Sequence, residues 1–383
     1  MTGSSTLNAG SWLTPDYAKS LAAFGGESFF EAKERYATTY DVKEEVTGAY
    51  LQLDFTKTLF DKDVRGNIGV QVQHVDQSSS SRYWDSTQPA GSEVQPIERG
   101  KTYTDVLPSM NLTVEIFDDV IWRTAASETL MRPALSDIAY KRTVSWSGFR
   151  FKDGNPDLKP TQAKQWETGV EWYLENGGIL AASYFWKEID GVVREALTGV
   201  VEDVEKLNAN GTLDGYYDFE VFQPVNAEGS YKVTGLELIA QLPLSALHPA
   251  LEGFGINSNY TMLDNSLTGA SDLDIPTPPE GLADKTYNFT LYYENDRFDT
   301  RISYNYKDKY VEYIHLNMYP VYRDAYGQTD IALGYQLTDN VKLSLKGINM
   351  TDEETSGYTM NPAFPVMYEF SGRRVSLGLR ADF

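Results

Sequence analysis

Hydrophobic and polar residues alternate with a period of two along much of this chain. The alternation is clearest in segments 51–55, 68–72, 166–172, 287–293, 302–307, 342–346 and 374–383. Strict alternation places apolar side chains on one face of a β-strand and polar side chains on the other. The pattern predicts half-buried strands, roughly 13 of them at a length suited to tilted spanning of a bilayer.

Short and long connections follow one another between the predicted strands. Tight turns are predicted at 60–63, 117–119, 175–178, 294–297 and 338–340, and long polar stretches at 74–100, 131–160, 190–229, 265–283, 308–326 and 352–367. Bacterial outer-membrane barrels have this asymmetry, with short periplasmic turns and long extracellular loops. We therefore predict an all-β fold, an antiparallel transmembrane β-barrel wall. A soluble β-sandwich, the alternative, does not require such regular differences in loop length.

The composition excludes several classes of protein. No apolar run approaches the roughly 18–20 residues of a transmembrane helix, so helical spanning is excluded. Aromatic residues make up 13% of the chain, which favours strands and membrane-interface belts. The absence of Cys argues against disulfides, thiolate metal sites and cysteine nucleophiles. A formal net charge of -22 argues against nucleic-acid binding.

Five segments resemble the C-terminal part of the barrel in TonB-dependent receptors. They are residues 103–112, 122–133, 154–160 (Gly-Asn-Pro-Asp-Leu-Lys-Pro), 348–353 and 372–383. Their order and spacing are similar to those of the family. The resemblance implies a complete receptor of about 22 strands around a plug domain, so this chain supplies only part of the wall. We expect residues 1–44 to be the remnant of an extracellular loop and residues 45–383 to be the C-terminal barrel portion.

The two chain termini carry expectations of their own. The N-terminus lacks the basic and apolar regions of a secretory signal peptide, and no plug domain or TonB-contacting segment is recognisable. The chain is therefore expected to be a fragment of a longer receptor, reaching the TonB system only through a plug that it lacks. The final Phe383 resembles the signal that the outer-membrane assembly machinery reads. Packing at the periplasmic lipid interface is its other interpretation.

The sequence predicts no catalytic site, metal site or cofactor. His74, His248 and His315 are far apart, and neither a nucleophile-elbow nor a phosphate-loop pattern occurs. Acidic residues within 202–220 and 272–274 have the chemistry for calcium binding, but they lack the spacing of a known calcium loop. We interpret them as solvated loop residues. The chain is not expected to be an enzyme.

Aromatic side chains in the predicted extracellular loops are the candidate ligand contacts. The candidate set is Tyr83, Trp84, Trp146, Tyr216, Tyr217, Phe222, Tyr310, Tyr313, Tyr322 and Tyr358. Flat aromatic faces beside carboxylates and amides suit sugar rings, and they also stack on catecholate siderophores. Packing within the loops or in the interface belt is the alternative role of each residue.

The resemblance implies uptake of a small-molecule nutrient across the outer membrane of a Gram-negative bacterium. Outer-membrane lipid, the assembly machinery and the TonB system are the partners that it implies. Aromatic, acidic loops and the 154–160 motif are similar to those of receptors for oligosaccharides, so an oligosaccharide is the first expectation. A ferric siderophore is the alternative ligand. A truncated, non-transporting barrel remnant or adhesin is the alternative from another class. An enzyme barrel is disfavoured because no Ser/His constellation occurs.

Overall fold

The structure, a computed structural model, describes residues 19, 39–84, 94–175, 177–207, 213–268, 279–315 and 319–382. Its strands, in chain order, are β1 (Tyr40–Leu59), β2 (Lys62–Trp84), β3 (Val94–Phe117), β4 (Val120–Met131), β5 (Arg142–Ser145), β6 (Arg150–Asp153), β7 (Thr161–Tyr173), β8 (Ile179–Asp190), β9 (Val193–Leu207), β10 (Leu213–Asn226), β11 (Ser230–Pro243), β12 (Phe254–Thr268), β13 (Lys285–Glu294), β14 (Phe298–Lys307), β15 (Tyr310–His315), β16 (Tyr319–Arg323), β17 (Tyr326–Thr338), β18 (Val341–Ile348), β19 (Thr355–Thr359), β20 (Pro365–Glu369) and β21 (Arg374–Ala381). A short helix, α1, comprises Leu135–Ile138. Over these residues, no helix is long and apolar enough to cross a membrane.

Thirteen strands form one large antiparallel sheet, the wall. Its order is β1-β2-β3-β4-β7-β8-β11-β12-β13-β14-β17-β18-β21. Each strand therefore pairs with the wall strands that precede and follow it along the chain. The edge strands are β1 and β21, and neither has a second strand partner within the described ranges. The predicted fold class and the approximate strand count are confirmed.

The predicted tight turns join neighbouring wall strands at one end of the sheet. Phe60 and Asp61 connect β1 to β2 with φ angles of 52° and 61°, both in the left-handed region that a two-residue hairpin turn of type I′ requires. The connection from β11 to β12 contains two short 3-10 helices, Leu244–Ala246 and Pro249–Leu251. These connections make one rim of the wall compact.

The long connections at the opposite rim are more ordered than the sequence predicted. Residues 74–84 and 94–100, expected in a loop, continue β2 and β3. Four other long stretches contain strands of two small sheets. The first outer sheet has the order β5-β6-β10-β9, and the second outer sheet has the order β15-β16-β19-β20. Segments of this length satisfy many backbone hydrogen-bonding groups by pairing with one another.

Apolar side chains cover the outward face of the wall. Leu51 is 75% exposed, Ile68 56% and Leu377 72%. Exposed apolar surface of this extent would be costly in water and is typical of the lipid-facing band of a transmembrane β-barrel. The polar residues that alternate with them face the lumen side, as the sequence predicted.

Two aromatic belts mark the limits of the apolar band. On β7, Trp166 and Trp172 lie six residues apart, and on β13 Tyr287 and Tyr293 have the same separation. Six residues of strand span about 20 Å, close to the height of the lipid-facing band in such barrels. Trp and Tyr favour this position because their rings are apolar at one end and polar at the other.

The strands β1, β2 and β3 extend far beyond the outer belt. They contain 20, 23 and 24 residues, whereas spanning requires about 9–11. The wall begins at Tyr40, while the predicted domain boundary at residues 44 and 45 stays a prediction. Residues 1–38, apart from residue 19, and Phe383 lie outside the described residues. The assembly-signal role of Phe383 stays a prediction as well.

Candidate ligand-binding surface

The Gly-Asn-Pro-Asp-Leu-Lys-Pro motif at 154–160 is hydrogen-bonded to strand β10 of the first outer sheet. The Asn155 side-chain amide donates a hydrogen bond to the carbonyl oxygen of Pro224 on β10, at 2.9 Å. The Asn226 carboxamide oxygen accepts a bond from the Lys159 backbone N–H, also at 2.9 Å. The motif therefore holds the end of β10 by polar contacts to its backbone and side chain.

The same motif is bound to the lumen face of the wall. Gln77 on β2, only 1% exposed, donates from its amide to the carbonyl oxygen of Pro156 at 3.0 Å. The Lys101 ammonium on β3 donates to the carbonyl oxygen of Asp157 at 2.8 Å, and Leu158 is fully buried. These contacts fix the position of the first outer sheet relative to β2 and β3.

Glycine is required at position 154 because its backbone lies very close to the backbone of residues 139 and 141. Its N–H donates to the Lys141 carbonyl oxygen at 2.9 Å. A Cβ atom at this position would lie 1.7 Å from the Ala139 carbonyl oxygen, far inside van der Waals contact. The motif begins with glycine because no side chain fits between these backbone segments.

The first outer sheet contains a small aromatic core. Phe219 is fully buried and stacks on Phe151 with a centroid distance of 4.7 Å. Trp146 packs edge-on against Phe219 at 5.1 Å, and Phe149 stacks on Tyr217 at 4.8 Å. Such offset and edge-on pairs are favourable arrangements of aromatic rings.

Cations at the first outer sheet are paired with carboxylates. Arg142 binds Asp153 with two hydrogen bonds of 2.7 and 2.6 Å and covers the Phe151 ring at 4.5 Å. Lys206 binds Asp214 at 2.7 Å, and this hydrogen bond raises the pKa of Lys206 above its ordinary value of 10.5. Two further pairs are Arg150–Glu220 and Lys152–Glu195.

The second outer sheet is centred on Arg323 of β16. Its guanidinium binds both oxygens of Glu312 at 2.6 and 3.2 Å, and one oxygen of Glu369 at 3.3 Å. The hydrogen bonds that Arg323 donates to Glu312 are the main cause of the raised pKa of Arg323. Arg323 thereby joins β15, β16 and β20.

Buried apolar residues of the second outer sheet lie beside this ion-pair network. Val311 and Val321 are 1% and 3% exposed. Tyr322 and Tyr358 stack at 5.3 Å on neighbouring strands β16 and β19. The Lys307 ammonium lies 3.6 Å from the centre of the Tyr310 ring, which is a cation–π contact.

The structure separates the predicted aromatic contacts into two groups. Trp146, Tyr216 and Tyr313 are 41%, 59% and 45% exposed, so part of each ring is accessible, although Trp146 also packs edge-on against Phe219. The packed group comprises Tyr217, Phe222, Tyr310, Tyr322 and Tyr358, each engaged with a neighbouring ring or cation. The ligand-binding role of every member stays a prediction.

Tyr83 and Trp84 occupy the outer end of β2. Their backbones pair with Gln95 and Val94 of β3, while their side chains lie outside what the structure describes. The two outer sheets are separate hydrogen-bonded units, so the candidate residues are distributed over three places at the outer rim.

Sequence reasoning missed the residues that hold the outer sheets together. Neither the buried core position of Phe219 nor the two-carboxylate site of Arg323 was predicted. A usable signal was present for the first, since Tyr217, Phe219 and Val221 alternate with Asp218 and Glu220. The Arg323 network joins residues distant in sequence and has no local signature. In the described part of the chain, no cluster of three or more His, Asp or Glu could hold a metal ion.

Comparison with known proteins identifies the family. Residues 2–350 match the family model described as TonB dependent receptor-like, beta-barrel. This chain therefore belongs to the TonB-dependent receptor family, and the part of the family that it matches is the β-barrel. No curated protein sequence matches the chain.

Solved receptor structures share the fold. The ferric yersiniabactin uptake receptor FyuA from Yersinia pestis matches with a TM-score of 0.59 and 19% identity, over 90% of this chain and 46% of that one. The siderophore receptor PirA from Acinetobacter baumannii matches with 0.57 and 13%, over 89% and 55%. The ferric enterobactin receptor PfeA from Pseudomonas aeruginosa, solved with enterobactin, matches with 0.54 and 14%, over 89% and 55%. This chain spans about half the length of these structures.

Proposed function

We propose that this chain forms part of the wall of an outer-membrane receptor that imports a small-molecule ligand through TonB-coupled transport. Family membership supports this function, and the exposed apolar band between two aromatic belts supports the location in a membrane. Coupling to TonB then passes through a plug domain that lies in the lumen of the complete barrel. In this role the chain is a transport component and not an enzyme.

We further propose a neutral, hydroxyl-rich ligand, with an oligosaccharide as the leading class. The observation that carries this choice is the combination of accessible aromatic rings with paired cations. Trp146, Tyr216 and Tyr313 present faces on which sugar rings stack. The surrounding charges are largely neutralised, because Arg142, Arg150, Lys152, Lys206 and Arg323 each bind a carboxylate.

The charge balance argues against a strongly anionic ligand. Binding an anion would require these cations to exchange carboxylates for the ligand, and breaking such charge-assisted pairs costs about 1.5–3 kcal/mol per hydrogen bond. The formal net charge of -22 adds long-range repulsion. Binding of a neutral polyol breaks none of these ion pairs and is not opposed by this repulsion.

A binding experiment on the purified receptor tests the proposal. Calorimetry with a panel of neutral oligosaccharides should give saturable binding, and Trp146→Ala should weaken it about tenfold through loss of one stacking surface of roughly 1.4 kcal/mol. Trp172→Ala, which removes a similarly exposed Trp from the opposite rim, is the matched control and should leave affinity unchanged. Equal affinities for wild type and Trp146→Ala would rule out this aromatic site.

A ferric siderophore is the second candidate ligand. The observation in its favour is that the three solved structures described above are receptors for siderophores. Aromatic rings also stack on catecholates. In the same calorimetric panel, tight binding of a ferric siderophore without binding of any oligosaccharide would replace the first candidate by the second.

A further inference from the structure

A small polar pocket lies between the helix α1 and the ends of β6, β9 and β10 in the first outer sheet. Its volume is about 230 Å³. Its walls include Asp137 of α1, Lys141, Lys152 of β6, Glu195 of β9 and Pro224 of β10. Because these residues come from distant parts of the chain, the pocket forms only when the outer sheet has docked beside α1.

The first two residues of the 154–160 motif hold three walls of this pocket in place. The Gly154 N–H donates a hydrogen bond to the Lys141 carbonyl oxygen at 2.9 Å. The Asn155 N–H donates to the Asp137 carbonyl oxygen at 2.7 Å, and the Asn155 side-chain amide donates to the Pro224 carbonyl oxygen at 2.9 Å. The motif therefore fixes the shape of the pocket before any ligand enters, which lowers the entropic cost of binding.

The charges in the pocket lining are balanced. The carboxylates of Asp137, Asp153 and Glu195 are matched by the cations of Lys141, Lys152 and Arg194. Asp153 is bound by Arg142 through two hydrogen bonds, and Glu195 is bound by Lys152. A ligand with a net charge would have to replace one of these partners, so the lining favours a neutral ligand.

The lining can still form hydrogen bonds with a neutral ligand. An ionised carboxylate offers about four lone-pair sites, and the Asp137 carboxylate accepts one hydrogen bond from the Ser136 hydroxyl at 3.3 Å. Val193 and the buried Pro224 add an apolar surface to the same pocket. A pyranose ring matches this combination, because its hydroxyl groups donate and accept hydrogen bonds while its C–H face is apolar.

We infer that this pocket binds one neutral pyranose ring of the imported oligosaccharide. Asp137 and Glu195 accept hydrogen bonds from ring hydroxyls, Lys152 donates one, and the C–H face packs on Pro224. The volume is below the roughly 300–1,000 Å³ of pockets that hold drug-sized ligands, so it admits a single ring. The inference rests on the proposed function and adds a contact site to the exposed aromatic rings, since Trp146 is not part of the lining.

A zwitterion such as a free amino acid is the competing ligand for a pocket of balanced charge. Its ammonium and carboxylate would have to displace Lys152 from Glu195 or Arg142 from Asp153. Sugar hydroxyls instead bind the remaining lone pairs of the carboxylates and leave both ion pairs intact. This difference selects the sugar ring.

Calorimetry on the intact receptor with neutral linear hexasaccharides of glucose, mannose or xylose tests the pocket. Asp137→Asn should weaken binding of the recognised hexasaccharide about tenfold, because a charge-assisted hydrogen bond becomes a neutral one. This variant keeps the backbone bond from Asn155 and breaks no ion pair. Ser136→Trp, at an exposed position of the lining, should fill the pocket and weaken binding by at least about the same factor.

A matched control separates the pocket from its surroundings. Asp157 is an exposed carboxylate of the same segment that does not line the pocket, so Asp157→Asn should leave the affinity unchanged. Equal affinities of wild type, Asp137→Asn and Ser136→Trp would overturn the pocket and leave the proposed function standing. Failure of every hexasaccharide to bind wild type would overturn the proposed function and this inference with it. Binding of free alanine that Asp137→Asn abolishes would overturn the choice of a sugar ring.

Discussion

The two outer sheets are stabilised by different kinds of contact. Both are four-stranded and both stand at the outer rim. The first is organised around buried rings, with Phe219 fully buried between Phe151 and Trp146. The second is organised around Arg323 and its two carboxylates. The difference shows that outer segments of one wall can be ordered by apolar burial or by a charge network.

The comparison has consequences for how each sheet responds to its surroundings. Burial of aromatic surface involves no charges for salt to screen, whereas partly exposed ion pairs, in the first sheet as in the Arg323 network, weaken as ionic strength rises. The first sheet is also fixed to the wall through the 154–160 motif, which contacts both Gln77 and Asn226. The first sheet should therefore behave as a rigid support and the second as the more adjustable element.

The largest effect is expected from removing the centre of the aromatic core. Phe219→Ala should destabilise the first outer sheet by about 3–5 kcal/mol, since it removes a fully buried ring and leaves a cavity. Hydrogen exchange of β9 and β10 in the intact receptor measures this local stability. Tyr216→Ala, an exposed ring on the same strand, is the control and should change it by less than about 0.5 kcal/mol. Equal effects would contradict the assigned core.

A smaller effect should follow from adding a side chain at Gly154, where two backbone segments approach each other closely. Gly154→Ala should cost more than about 1 kcal/mol, because the added Cβ collides with the Ala139 carbonyl oxygen. Gly199→Ala on β9 provides a matched control, since no atom lies within 4 Å of its added Cβ. Proteolysis rates of the 131–160 segment should rise only for Gly154→Ala. Matching rates for the two variants would exclude the motif as an anchor.

The second outer sheet should be loosened by Arg323→Gln, at an expected cost of about 1–3 kcal/mol from lost charge-assisted hydrogen bonds. The same substitution at Arg380, whose pair with Asp382 is largely exposed, should cost at most about 1 kcal/mol. Exchange of β15, β16 and β21 amides, measured at low and high salt, gives the cost of each substitution and its dependence on salt. A wild-type second sheet with no salt dependence would refute the charge-network account.

The smallest expected effect is a dependence of stability on alkaline pH, which we expect in the first outer sheet and not in the second. The hydrogen bond to Asp214 raises the pKa of Lys206 above 10.5 in the folded state, so its stabilisation is complete below 10.5 and is lost as pH rises through the raised value. The hydrogen bond to Glu312 raises the pKa of the Arg323 guanidinium, which is higher than that of a lysine to begin with, so Arg323 stays charged over this range. The protection factors of β9 amides, which are corrected for the intrinsic base catalysis of exchange, should fall as pH rises through the raised pKa of Lys206, and Lys206→Met should abolish that fall.

The wall could be predicted from sequence because its pattern is local. Each spanning strand must show one apolar face to lipid, and this requirement produces the alternation seen at Leu51, Leu53 and Phe55. The outer extension of β2 was missed because its residues 77–81 are Gln and Ser. Once a strand leaves the bilayer, no apolar face is required and the alternation disappears.

The outer sheets could not be predicted because their stabilising contacts join distant residues. Phe151 and Phe219, or Arg323 and Glu369, meet only after the chain has folded. The aromatic residues of the loops were recognised from composition, but composition does not separate exposed Tyr216 from Tyr358, which is 8% exposed. That separation depends on strand pairing, which the sequence pattern leaves open.

The most direct test of the account is the accessibility of single cysteines in intact cells, since this chain contains no Cys of its own. Tyr216→Cys and Tyr313→Cys, on the two outer sheets, should react with a membrane-impermeant maleimide added outside. Asp61→Cys and Asp339→Cys, in short turns of the opposite rim, should react only after the outer membrane is permeabilised. Labelling of the turn positions in intact cells, with protection of the outer sheets, would contradict the orientation of the wall.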